Sequence, residues 1–211
     1  MPLVDIAYHQ IRQKLLNGDY LPGALLSENE LAAELNMSRT PIRDAMTLLS
    51  REGFVETLKK RGILVKGVDV NELYDMFDLL TALYVHVLDT VEPQQYKDEL
   101  AVMKEQLDRL IEASEERRYR EYYENGLLFM RTMLATSQNR CILQTFDTYK
   151  DKILYFVMVH RTFNNPNRPY KSRKMYAEVY RMLTEDNIPG ARKVFLESMR
   201  NICEELVRMM R

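Results

Sequence analysis

The sequence predicts a mainly α protein in two parts: three helices closed by a β-hairpin in residues 1–68, then an all-α bundle of about six helices in residues 69–211. Three observations carry this. Apolar residues recur every three or four positions through most of the chain, the period of an amphipathic helix. Two neighbouring runs, FVETL and ILVKG, read instead as strands. Turn formers are few, 7 Gly and 7 Pro in 211 residues, and most of them fall where the helical period breaks.

Val4, Tyr8, Ile11 and Leu15 mark the first helix, which stops at GDYLPG, where Gly18 and Pro22-Gly23 supply turn chemistry. Ser27 followed by Glu30 predicts a capping box, each side chain satisfying an orphaned amide of the first turn, so a second helix runs from about Glu28 to Leu35. Asn36 and Met37 connect it to a third helix, capped by Ser38, continuing to about Glu52 and ended by Gly53. Pro41 falls in the first turn of that helix, where its missing N–H would have had no intrahelical partner. It starts the helix instead of breaking it. KKRG separates the two β-prone runs and predicts a tight hairpin. Three helices and a basic-tipped hairpin in this order form the pattern of a winged helix-turn-helix. Beyond Asp69, helical periodicity covers segments near 71–90, 97–114, 117–137, 140–163, 171–185 and 189–210, divided by VEPQQ, EERR, SQN, NNPNRP and NIPG.

Composition removes several classes. Hydrophobic residues at 46% and charged residues at 29% suit a globular chain, not a disordered one. Cys141 and Cys203 are too few for a disulfide framework and read as reduced thiols in a cytoplasmic protein. The N-terminus lacks the basic-then-apolar layout of a secretion signal, and no apolar run approaches membrane-spanning length. No G-x-S-x-G, phosphate-binding glycine loop or Cys/His pairing supports an enzyme. Net charge is -1, yet Arg39, Arg43, Arg51, Lys59, Lys60, Arg61 and Lys66 outnumber the acids between them, Asp44, Glu52 and Glu56. A nearly neutral chain can thus present a basic face to nucleic acid.

In the third helix Ile42, Ala45, Met46 and Leu49 form an apolar stripe, leaving Arg39, Thr40, Arg43 and Thr47 on another face. A helix-turn-helix places the start of its second helix in the major groove, where arginine bonds guanine O6 and N7 together. Arg39 and Arg43, one turn apart, are placed for that. Thr40 and the amides near Ser38 suit phosphate, and Lys59, Lys60, Arg61 and Gly62 at the hairpin tip suit the backbone or the adjacent minor groove.

From YHQIRQ to GILV the chain resembles the winged helix of the GntR family of bacterial transcription regulators. The marks are Pro22-Gly23, LSENELA, SRTPIRDA, LSREGFV and Arg61-Gly62. The resemblance implies operator reading at Arg39, Thr40 and Arg43, groove approach at Gly62, and a phosphate near Asn29. It also implies a homodimer on a palindromic double-stranded operator, usually repressing genes until a metabolite binds. The second half is similar to the FCD ligand-binding domain of the FadR-like subfamily, in its VanR-like variety, through LATSQN and NIPGARKVFLESM.

Many FCD domains hold a divalent metal with one aspartate and three histidines. The corresponding positions here are Gly126, Met130, Tyr176 and Ser198, so the resemblance implies a domain without the metal. Gly126 costs a helix about 1 kcal/mol relative to alanine, which hints at close packing or at space left for a ligand. These residues predict either a metal-free pocket for a mainly apolar effector or the core of a domain that only dimerises. The expected function is a sequence-specific DNA-binding regulator, a repressor controlled by a small metabolite; the alternatives are a DNA-binding dimer without effector or a winged-helix protein-interaction module.

Overall fold

The computed structural model describes residues 1–59, 61–164, 170 and 172–209. Among them the order is α1 (Leu3–Asn17), β1 (Leu25–Leu26), α2 (Glu28–Glu34), α3 (Arg39–Arg51), β2 (Val55–Leu58), β3 (Gly62–Val65), α4 (Val70–Thr90), α5 (Pro93–Glu115), α6 (Tyr119–Ala135), α7 (Arg140–Asn164), α8 (Ser172–Thr184) and α9 (Ile188–Met209). The fold is mainly α, with the three helices, the hairpin and the six-helix half where the periodicity placed them. Contacts divide the chain into two compact units. One is Met1–Val68 with Lys152–Asn167; the other is Asp69–Asp151 with Arg168–Arg211.

In the first unit Ile11 and Leu15 of α1 and Ile42, Ala45, Met46 and Leu49 of α3 are fully buried, with Phe54, Val55, Ile63 and Val65 closing the core from the sheet side. Gly18 ends α1 at φ 80° and donates its amide to the Leu15 carbonyl. Asn36, at φ 52°, makes the sharp step from α2 to α3, a conformation that asparagine tolerates better than most side chains. Two capping expectations need correction. Ser27 does cap α2, but by accepting the Asn29 amide at 3.2 Å. Ser38 sits at the cap of α3 with extended backbone, yet its side chain makes no capping hydrogen bond. The buried Pro41 in the first turn, with φ fixed near helical values, is what favours helix there.

The sheet has a third strand that periodicity could not reveal, because two residues carry no period. β1 pairs antiparallel with β3 through Leu25↔Leu64 and Leu26↔Ile63, giving the order β1-β3-β2. A segment far away in sequence joins this unit as well. Tyr155, in the later half of α7, meets Phe54 edge-on at 5.5 Å between ring centroids and donates its hydroxyl to the Lys66 carbonyl at 2.9 Å. Burial pushes that phenol up to about 12.

In the second unit α5 lies along α6 and also meets α8, while α9 meets both α4 and α8. Three of the breaks in this half hold a non-glycine residue in the left-handed region: Arg117 at φ 58°, Gln138 at 53° and Asp186 at 55°. Two helices repeat the proline start of α3. Pro93 opens α5 inside a capping box of Glu92 and Gln95, and Asn187, just before Pro189, accepts the Gly190 amide at 3.0 Å to cap α9. Tyr96 fixes the α4–α5 corner by donating to the Val87 carbonyl at 2.9 Å. Arg131 of α6 forks onto Asp147 of α7 at 2.9 and 2.8 Å, and Lys150 adds a third bond at 2.8 Å. Among the described residues no helix is long and apolar enough to cross a membrane.

Candidate functional site

The apolar stripe of α3 is buried, which turns its opposite side outward. Arg39 and Arg43 keep 58% and 61% of their side chains exposed, and Ser38 and Thr40 beside them are exposed too. One carboxylate organises both arginines. Glu28, at the start of α2, accepts Arg43 Nε at 3.1 Å and Arg43 Nη2 at 3.0 Å, while Arg39 Nη2 donates to the same carboxylate at 3.1 Å. The Arg43 hydrogen bonds, helped by Arg39, hold the Glu28 carboxyl below its ordinary value, and Glu28 in turn raises Arg43. Arg43 therefore spends its side edge on Glu28. Of its five N–H donors, the pair on the outer edge, from Nη1 and Nη2, stays open in the geometry that matches guanine O6 and N7. Sequence reasoning missed Glu28, although its place beside the Ser27 cap and Asn29 was in view. What it lacked was the distance from α2 to α3.

Asn29 is exposed on the same helix start, and Lys59 and Arg61 are exposed at the hairpin. Lys60 lies outside the described residues. Gly62 has a structural duty besides any groove contact: its φ is 102°, and a Cβ there would come within 2.8 Å of the Leu26 carbonyl oxygen. Glycine is required for β1 to reach β3.

The four positions singled out in the second half lie on three helices, and two of them meet. Gly126 and Met130 of α6 are buried, and a Cβ on Gly126 would stand 2.6 Å from the Tyr176 hydroxyl and 2.9 Å from its ring carbon Cζ. The phenol of α8 fills the space a side chain would need. Phe129 packs edge-on against Tyr176 at 5.4 Å. Ser198 on α9 is half-buried, one turn from Phe195, which packs against Tyr84 of α4 at 4.9 Å. Burial, with the nearby Tyr122 and Tyr123 phenols, pushes Tyr176 up; burial, with Tyr176, does the same to Tyr84. Tyr84 is 3% exposed, and its hydroxyl has no hydrogen-bond partner among the described residues. It went unnoticed in the sequence, where it continues the apolar stripe of Leu73, Met76 and Leu80. A tyrosine on such a stripe is the signal that could have found it.

The model of the bacterial regulatory proteins of the gntR family matches residues 3–65, and that of the FCD domain matches residues 75–201. The chain belongs to the GntR family, with an FCD domain. This GntR protein is 28% identical over 204 residues to an HTH-type transcriptional regulator in an unstable DNA locus of Streptomyces ambofaciens, covering 96% of this chain and 84% of that one. It is 23% identical over 150 residues to the gluconate operon transcriptional repressor of Bacillus licheniformis, covering 71% and 61%. Among solved structures, a GntR transcriptional regulator from Rhodococcus sp. RHA1 superposes with a TM-score of 0.83 at 16% identity, covering 97% of each chain. E. coli McbR/YncC superposes at 0.75 and 20% identity over the whole of both chains. The last two show the shared fold. The GntR protein is a DNA-binding regulator of transcription, not an enzyme.

The residues of this GntR protein do not fit the divalent metal that many FCD domains hold. Gly126 offers no donor, and its space is taken by the Tyr176 phenol, which burial keeps protonated. A thioether at Met130 and a hydroxyl at Ser198 are poor ligands for a hard or borderline cation.

Proposed function

We propose that this regulator is a cytoplasmic homodimer that represses transcription from a palindromic operator until a small molecule binds in its second half. Residues 1–68 hold the DNA; residues 69–211 pair the subunits and take the effector, with no metal cofactor. Arg39 and Arg43 read bases in the major groove. Thr40, Asn29 and the amides near Ser38 meet phosphate, and Lys59, Lys60, Arg61 and Gly62 meet the backbone or minor groove. The effector lies against Met130, Tyr176 and Ser198, with Gly126 behind the Tyr176 phenol that covers it. Repression is supported by the name of the gluconate operon relative. The observation that carries the DNA reading is the exposed Arg39 and Arg43 pair at the start of α3, braced by Glu28.

Binding-site selection followed by a salt titration tests it. A half-site repeated in inverted order is expected, with affinity falling steeply as salt rises, log K changing by about -0.9 per log unit of salt for each phosphate contact. Recovery of random sequence, or a complex indifferent to salt, would overturn the reading in favour of a protein-interaction module.

A further inference from the structure

From the hydrogen bond that Tyr155 makes at the base of the β2–β3 hairpin, we infer that Tyr155 is a positioning residue for DNA binding: it fixes the angle at which the hairpin leaves the end of α3, and so where the tip meets the duplex. This rests on the reading above in which Lys59 and Arg61 meet DNA.

The part of α7 that carries Tyr155 belongs to the first unit. Tyr155 is 1% exposed, and its ring lies edge-on to Phe54 at 5.5 Å. Phenylalanine would pack there equally well. What the hydroxyl adds is one hydrogen bond of 2.9 Å, donated to the Lys66 carbonyl. Lys66 stands where the ladder ends: its amide donates to the Phe54 carbonyl at 2.9 Å, closing the hairpin beyond the Val55↔Val65 pair, and its own carbonyl takes Tyr155. Phe54, whose ring the Arg12 guanidinium of α1 also covers at 5.8 Å, follows the Gly53 turn that ends α3. One turn before Tyr155, the Lys152 ammonium stands 3.4 Å from where a Cβ on Gly53 would be. One stretch of α7 thus grips both the end of the reading helix and the base of the hairpin. The lever is long. With strands Val55–Leu58 and Gly62–Val65, at about 3.3 Å per residue the tip stands about 13 Å from this base, and a tilt of about 10° moves it about 2 Å. That is more than a hydrogen bond to phosphate tolerates. Along its length the hairpin leans on β1, two residues long, and a two-stranded ribbon is marginal by itself.

Operator titrations of the full chain over a range of salt test this, for Tyr155→Phe, for a hairpin variant joining Lys59→Ala to Arg61→Ala, and for all three substitutions together. Tyr155→Phe keeps the ring and is expected to fold with unchanged helix content. It should bind operator about three- to tenfold more weakly, the loss of one hydrogen bond, with a salt slope shallower by about one phosphate contact. Without DNA, its Lys66 amide should exchange with solvent faster than in the wild type. Added to the hairpin variant, the same substitution should weaken binding less than about twofold, because the contacts it would misplace are already gone. A residue that merely stabilised the fold would give the same factor in both backgrounds and leave the salt slope alone. That additivity, or wild-type affinity and slope in Tyr155→Phe, overturns the inference. A hairpin variant that binds like the wild type sinks the hairpin contacts and Tyr155 with them. A weakened hairpin variant beside an unaltered Tyr155→Phe leaves those contacts standing and sinks Tyr155 alone.

Discussion

Glu28 decides how Arg43 can meet DNA. An arginine at the end of four rotatable bonds normally loses much side-chain entropy when it is fixed on a base. Here the carboxylate has already fixed it, with its outer edge open. Glu28→Gln removes the charge and one acceptor while keeping the shape. Binding-site selection on that variant is expected to show weaker preference at the base that Arg43 reads, with non-specific DNA bound at least as tightly as before because one negative charge has gone. Arg43→Ala should lower operator affinity about ten- to hundredfold and relax specificity at one position; an unchanged base preference would remove Arg43 from the readers. Gly62 shows the opposite mixture of roles. Gly62→Ala must place a Cβ against the Leu26 carbonyl at an unfavourable φ, so thermal unfolding should show a loss of more than about 1 kcal/mol even without DNA. Weakened operator binding by that variant would therefore say nothing by itself about groove contact.

Between elements, the join of α6 to α8 is set by an absence. Alanine at 126 would gain about 1 kcal/mol in helix propensity but overpack the Tyr176 ring, which costs about 1 to 3 kcal/mol. Gly126→Ala is expected to lower stability in denaturant unfolding, and the loss should vanish when Tyr176→Ala is made with it, as a double-mutant cycle can measure. The α6–α7 join is ionic. Asp147 is lowered from 3.8 to about 2, chiefly by the Arg131 hydrogen bonds and then by Lys150. A carboxyl lowered on folding stabilises fully above its unfolded value and loses that contribution as pH falls through its folded value. The wild type should thus lose stability between about pH 4 and pH 2 more steeply than Asp147→Asn, which has already forfeited the pair at neutral pH. Equal acid limbs in the two unfolding profiles would show that the pair contributes nothing.

For the whole molecule, the balance of -1 hides a division of labour. The basic residues that matter are concentrated between Arg39 and Lys66, so operator binding should be salt-sensitive although the chain is close to neutral. Substituting Lys60 by alanine should weaken binding to all sequences similarly and make the salt slope shallower by about one contact; a change confined to one base pair would contradict a phosphate role.

The sequence by itself determined the helices, the hairpin and the face that α3 turns outward, because each depends on local period, capping residues and turn chemistry within a few positions. It also determined the likeness of residues 38–45 to a reading helix, and the lack of metal-binding side chains at positions 126, 130, 176 and 198. Only the tertiary structure decided which distant residues complete those features. The two-residue β1 exists because β3 offers it partners, Glu28 braces the arginines because α2 crosses near α3, and Tyr155 reaches Lys66 across 89 positions. Tyr176 of α8 likewise fills the space beside Gly126 of α6 because the two helices meet there. Such contacts leave no period in the chain: their energy arises when the elements meet, and no single segment records it.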